Sequence, residues 1–197
     1  MQDLKKDKII LTDCDGVVLD WEEGFSVWME HHGHNTVDGY QYMYNIGDRY
    51  GVSKEQGSQM VKVFNESAAI GFLPPLRDAI KYVRKLHEEH GYVFHCITSL
   101  SEDPHAYKLR MMNLEKLFGE GVFEKLICLD CGADKDEALA KYKDTGAYWI
   151  EDKPENARVG AKMGLESLLI KHGHNMSNEE FPNFPTWKEL YAHITGE

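Results

Sequence analysis

The sequence predicts an α/β fold: a Rossmann-like parallel sheet with helices on both faces and a small helical segment inserted after the first strand. Three observations predict it. Short apolar runs recur at 8–14, 92–98, 125–130, 147–152 and 166–171 with helix-like stretches between them, the alternation of βαβ units in a sheet covered on both faces. Prolines open and glycines close most of those stretches, as Pro75 to Gly91, Pro104 to Gly119 and Pro154 to Gly164. Residues 21–73 break the rhythm, with helix-like segments rich in Trp, Tyr, Phe and Met and no strand-like run.

The elements follow in order. The first run comes after a basic start, MQDLKKDK, and Thr12 and Asp13 interrupt it too soon for a signal peptide or a spanning helix. A soluble cytoplasmic protein is expected. The 197 residues fit one domain, with core segments 1–20 and 74–197 and the insertion 21–73 between them. The three Pro-to-Gly helices and one over 135–143 serve as crossovers. The tail 172–184 is polar and turn-rich, and Thr186 then caps a helix carrying Trp187, Leu190, Tyr191 and Ile194 on one face, which should pack back onto the sheet.

Composition narrows the function. With 42% hydrophobic and 28% charged residues the chain is an ordinary globular protein. Its 22 Lys and Arg against 33 Asp and Glu give a formal charge of −11, which repels nucleic acid polymers and anionic membranes, so neither is expected as a partner. An anionic small molecule would have to be drawn in locally, by a metal ion or a few placed cations. Cys14, Cys96, Cys128 and Cys131 lie in or beside apolar runs and read as reduced, buried thiols. The spacing of Cys128 and Cys131 lacks the second pair that a zinc site needs. The clusters at His31, His32 and His34 and at His172 and His174 read as solvated loop residues.

In an open α/β sheet, ligands bind beyond the carboxyl ends of the strands, so polar strand ends are the candidates. The first run ends in Asp13-Cys14-Asp15-Gly16. In extended chain, Asp13 and Asp15 point to the same side. Two such carboxylates repel unless a cation lies between them, and hard oxygen donors favour Mg²⁺. A calcium loop would need an oxygen ligand at Val17 and a glycine at Val18, so that pattern fails. The second run ends in Thr98-Ser99, hydroxyls able to hold phosphoryl oxygens or merely to cap a helix. Lys135 opens a helix, where the dipole opposes a cation, so it has no local reason to be there. Lys141 on the same helix is the alternative site lysine. The fourth run ends in Glu151-Asp152, which supplies further metal ligands.

DxDG, then a strand-end Thr, then Lys, then Glu-Asp, in this order over nearly the whole chain, resembles the haloacid dehalogenase (HAD) superfamily of aspartate-nucleophile phosphatases. The resemblance implies a HAD-like core and a phosphatase using Mg²⁺, with Asp13 as nucleophile and Asp15 as the acid that protonates the leaving oxygen and then activates water. It implies that Thr98 binds the phosphoryl group, that Lys135 neutralises its charge, and that Asp152, Asp13 and the Asp15 carbonyl hold the metal, with Glu151 a direct ligand or an orienting partner. DCDGVVLDWEEGF, followed by a helical cap and FLPPL, resembles the 5′(3′)-deoxyribonucleotidase branch, in which the aromatic at Trp21 helps hold a base. Trp21, Ser99 and Gly16 make up the expected substrate-binding set. Of the other cap aromatics, Phe25, Trp28, Tyr42, Tyr44, Phe64 and Phe72, most are expected in the core of the cap. Pro-Glu-Asn-Ala after the acidic pair also resembles sugar-phosphatase and phosphomutase relatives. The expected substrate is therefore a small phosphate ester, first a nucleoside 5′-monophosphate and alternatively a sugar or other metabolite phosphate. The protein is expected as a monomer or homodimer, and a catalytically idle binding module is the alternative from outside the enzymes.

Overall fold

The computed structural model describes residues 8–197. The first seven residues of the expected core segment, and most of the basic start, lie outside them. Six parallel strands form one sheet: β1 (Ile9–Thr12), β2 (Val93–Ser99), β3 (Phe123–Leu129), β4 (Tyr148–Glu151), β5 (Glu166–Ile170) and β6 (Asn183–Phe184), in the order β3-β2-β1-β4-β5-β6. Five coincide with the apolar runs. The sixth lies at the end of the tail expected to be polar and turn-rich, where no strand was expected. It has only two residues, pairs Leu169 with Asn183 and Ile170 with Phe184, and is flanked by prolines, which an edge strand tolerates.

Alternation along each strand sends side chains to two cores. Ile10, Phe94, Cys96, Ile150, Leu168 and Ile170 enter the larger one, while Leu11, Ile97 and Trp149 enter the smaller. Helices α4 (Ala79–His90), α5 (Pro104–Phe118) and α8 (Trp187–Thr195) supply the larger core, where Trp187 is fully buried and donates its indole N–H to the Val17 carbonyl at 2.7 Å. Helices α6 (Asp136–Ala140) and α7 (Pro154–Lys162) cover the other face.

Two helix boundaries differ from expectation. Pro75 does not open α4. The segment before it is tied to the turn after β1, with Asp20 N–H on the Pro74 carbonyl and Leu76 N–H on the Val18 carbonyl, so the helix begins only at Ala79. Asp78 spends its carboxylate on the Trp187 and Lys188 N–H groups of α8 instead. Helix α6 is shorter than 135–143, with Lys135 as its N-cap residue and Lys141 at its C-cap.

Between β1 and β2 the chain folds as α1 (Trp21–His31), α2 (Ile46–Tyr50) and α3 (Lys54–Asn65), with single turns at Tyr40–Tyr42 and Ala68–Phe72. Asp20, Asn45 and Ser53 cap the three helices with side-chain oxygens, and Ser53 forms a capping box with Gln56. Phe25 and Phe64 are buried at their centre and Trp28 half-buried beside them, whereas Tyr42, Tyr44 and Phe72 stand exposed. No helix among the described residues is long and apolar enough to cross a membrane.

Candidate active site

The strand order reverses at β1, whose neighbours are β2 on one side and β4 on the other, and side chains collect beyond the carboxyl ends there. Register sets the levels. Thr12 pairs with Cys96 and with Ile150, so Asp13 leaves the sheet beside Glu151. Asp13 N–H bonds the Ile150 carbonyl at 2.9 Å. Its Oδ1 accepts the Cys14 N–H at 2.7 Å, and Oδ2 lies 2.9 Å from Lys135 Nζ.

Lys135 has its side chain 1% exposed, lying between Asp13 and Glu151, 2.7 Å from Glu151 Oε1. Burial alone would lower its pKa, but the two carboxylates reverse that and hold the ammonium above the ordinary lysine range. Lys141 is exposed and does not line the cavity. Glu151 is buried and accepts four N–H groups: Lys135 and Asn156 Nδ2 on Oε1, and the Asp152 and Lys153 backbone on Oε2. Burial pushes its carboxyl up to about 7 while those donors favour the ionised form. Carboxylate oxygens of Asp13, Glu151 and Asp152 lie within 4.8 Å of one another.

Gly16 explains its own identity. Its φ is +75°, and a Cβ there would come within 2.9 Å of Asp152 Oδ2, so only glycine lets the β1 turn lie against that carboxylate. The histidines expected as solvated loop residues join the site: His172 Nε2 lies 2.6 Å from the Gly16 carbonyl, and His174 Nε2 lies 3.3 Å from Asp152 Oδ2. Burial alone would raise the pKa of Asp152, but His174, His172 and Lys153 bring it below the ordinary range. His31 and His32 are exposed and His34 half-buried at and just after the end of α1, and none of the three lines the cavity.

Asp15 meets a partner that the motifs do not contain. Arg110, at the middle of α5 and with a fully buried side chain, donates Nη1 to Asp15 Oδ1 and Nη2 to Oδ2 at 3.3 Å. The Asp15 side chain is 22% exposed. Burial raises its pKa, against the lowering by Arg110. The Asp15 carbonyl accepts no hydrogen bond among the described residues. Thr98 is buried with its hydroxyl unbonded among the described residues, and Ser99 Oγ donates to the Ala133 carbonyl at 3.0 Å. Cys131 corrects the expectation of buried thiols: it is exposed at the cavity edge, while Cys14 and Cys96 are buried.

Asp13, Asp15, Gly16, Thr98, Lys135, Asp152 and the two histidines His172 and His174 face a cavity of about 800 Å³, roofed by residues of α1, α2 and α3. Trp21 lines it with one face stacked on Phe25 at 4.5 Å and its indole N–H on Asn65 Oδ1 at 3.0 Å. Tyr44 reaches across to the strand side, where Lys153 Nζ lies 4.9 Å from its ring centre.

No protein-family model matches the chain. An uncharacterized 32.4 kDa protein from the Gp30-rIII intergenic region of Enterobacteria phage T4 is 29% identical over 142 residues, 68% of this chain and 49% of the phage protein, so the chain spans about half of that protein's length. Among solved structures, a predicted phosphatase from Clostridium acetobutylicum aligns with a TM-score of 0.64 at 14% identity, covering 96% of this chain and 99% of its own. A haloacid dehalogenase-like hydrolase from Streptococcus pneumoniae aligns with a TM-score of 0.64 at 16% identity over the same shares. D,D-heptose 1.7-bisphosphate phosphatase from B. bronchiseptica, complexed with magnesium and phosphate, aligns with a TM-score of 0.57 at 10% identity, covering 96% and 98%. The chain has the fold of the haloacid dehalogenase-like hydrolases over nearly its whole described length.

Proposed function

We propose that this protein is a Mg²⁺-dependent phosphomonoesterase that works through an aspartyl-phosphate on Asp13. The observation that carries this is the convergence of the Asp13, Glu151 and Asp152 carboxylates with the Lys135 ammonium at the floor of an accessible cavity. Carboxylates this close repel one another without a cation, and oxygen donors with a free backbone carbonyl at Asp15 suit Mg²⁺. Asp13, Asp152 and the Asp15 carbonyl would hold it. The four donors on Glu151 support the orienting role over direct ligation. Bound there, the ion would neutralise charge on the phosphoryl oxygens.

An Asp13 oxygen attacks phosphorus, the ester P–O bond breaks, and the leaving oxygen takes a proton from Asp15. Water then attacks the same phosphorus and gives its proton to Asp15, and the bond to Asp13 breaks to release inorganic phosphate. Lys135 and Thr98 hold phosphoryl oxygens. The insertion acts as a cap that closes the cavity over the substrate and excludes water. The four free cysteines suit a reducing compartment such as the cytoplasm.

A nucleoside 5′-monophosphate is the first substrate class, supported by Trp21 and Tyr44 on the cavity wall. A sugar phosphate is favoured by the polar side chains Ser26, Asn45, Ser58 and Asn156 on the same walls. Phosphate release across nucleoside monophosphates and sugar phosphates, with Mg²⁺ or EDTA, separates these. Metal-dependent release from either class supports the phosphomonoesterase, and no release from any ester would leave an idle binding module.

A further inference from the structure

The insertion brings three cations to the cavity, Arg49, Lys54 and Lys62, and of these only Arg49 is paired among the described residues. Lys54, Ser58, Val61, Lys62 and Asn65 all line it, at positions i, i+4, i+7, i+8 and i+11 of α3, which is one stripe along a helix. Its inner end is fixed: Asn65 is buried, with Nδ2 3.4 Å from the Leu100 carbonyl. Farther along, Lys54 and Lys62 are exposed, and neither forms an ion pair among the described residues, although Glu66 lies four positions after Lys62. The other cavity cations are engaged, Lys135 by Asp13 and Glu151, Arg49 by Glu22, Arg77 by the Lys171 and Pro185 carbonyls, and Lys153 against Tyr44. Lys54 sits in the first turn of α3, where the helix dipole disfavours a cation. Against these two cations, α1 brings to the cavity Glu22, which is paired with Arg49, and Glu23, unpaired among the described residues, and the exposed Asp130 lies on the strand side.

We propose that the α3 stripe is a second anion subsite, so that the substrate is a phosphomonoester bearing a further phosphate or carboxylate remote from the ester cleaved. This rests on the phosphomonoesterase assignment. Lys54 and Lys62 stand about 12 Å apart along the helix axis with the Ser58 hydroxyl midway. Both arms reach one anion above Ser58, while the ester phosphate lies at the strand ends below Asn65.

The test uses matched pairs: adenosine 3′,5′-bisphosphate against adenosine 5′-monophosphate for a phosphate, and 6-phosphogluconate against glucose 6-phosphate for a carboxylate. The parent should prefer the doubly anionic member of at least one pair in kcat/KM, and Lys54→Gln/Lys62→Gln should lower that preference at least tenfold. Lys143→Gln/Lys162→Gln, an equal charge change at exposed positions outside the cavity, should leave the preference as it is. A parent with no preference in either pair, or a preference that survives in Lys54→Gln/Lys62→Gln, overturns the subsite. If no ester is turned over, the phosphomonoesterase assignment falls separately. Calorimetric binding of the same four compounds to the parent and both double variants then decides the subsite by the same preference.

Discussion

On the strand side of the cavity, Asp13, Lys135, Glu151 and Asp152 are buried and each is held by named partners, down to four donors on the one Glu151 carboxylate. On the helical side, Glu23, Lys54 and Lys62 stand in solvent, while Arg49, Asn65 and the aromatics Phe25 and Phe64 behind them are buried. Buried charges in mutual contact cannot reorient without uncompensating one another, so their geometry is preset, as a group that must stabilise a developing charge requires. Exposed lysines on long flexible stems can adapt to the shape of a ligand. On the proposed function, the strand wall would do the chemistry and the helical wall would choose what reaches it.

Substitutions on the two walls should therefore differ in kind, and the largest effect belongs to the strand side. Asp15→Ala strands the fully buried Arg110 guanidinium, whose Nε already lacks a partner, and should cost about 3–5 kcal/mol in denaturant unfolding. Arg110→Leu should cost less, because the Asp15 carboxylate, 22% exposed, can turn to water. The reverse order would show that the pair is not held as described. Gly16→Ala comes next, at about 1–2 kcal/mol from the left-handed backbone alone, with a loss of activity beyond that as the new methyl displaces Asp152. Full activity in that variant would detach Asp152 from the chemistry. Smallest are Lys54→Gln and Lys62→Gln, expected to change stability by no more than about 0.5 kcal/mol. A cost above 1 kcal/mol would make α3 a structural wall like the other.

The strand side was the more legible in sequence, and for a physical reason. Asp13, Thr98 and Asp152 end or follow short apolar runs, and a parallel sheet brings all such ends to one edge whatever the details of packing. Lys135 was visible because its place at a helix start made no local sense. Arg110 was not, since in PHAYKLRMMNLEKLF it looks like one more exposed helix charge, and its burial depends on Asp15, 95 positions away. Its signal was its place on the stripe Ala106, Arg110, Asn113 and Leu114, otherwise apolar except for Asn113. His172 and His174 carry no signal in sequence, because a loop histidine acquires meaning only from what it folds against. The start of α4 differs from the expected Pro75 for the same reason, as tertiary bonds to the β1 turn hold Pro75 in extended chain.

On the proposed mechanism, Asp13 carries the phosphoryl group. The most direct test is acid quenching during turnover of an aryl phosphate with Mg²⁺, borohydride reduction of any acyl phosphate, and peptide mass analysis. Homoserine at position 13 of the parent, absent without substrate, is the predicted result. Sustained phosphate release with position 13 unmodified, or undiminished in Asp13→Asn, would contradict it.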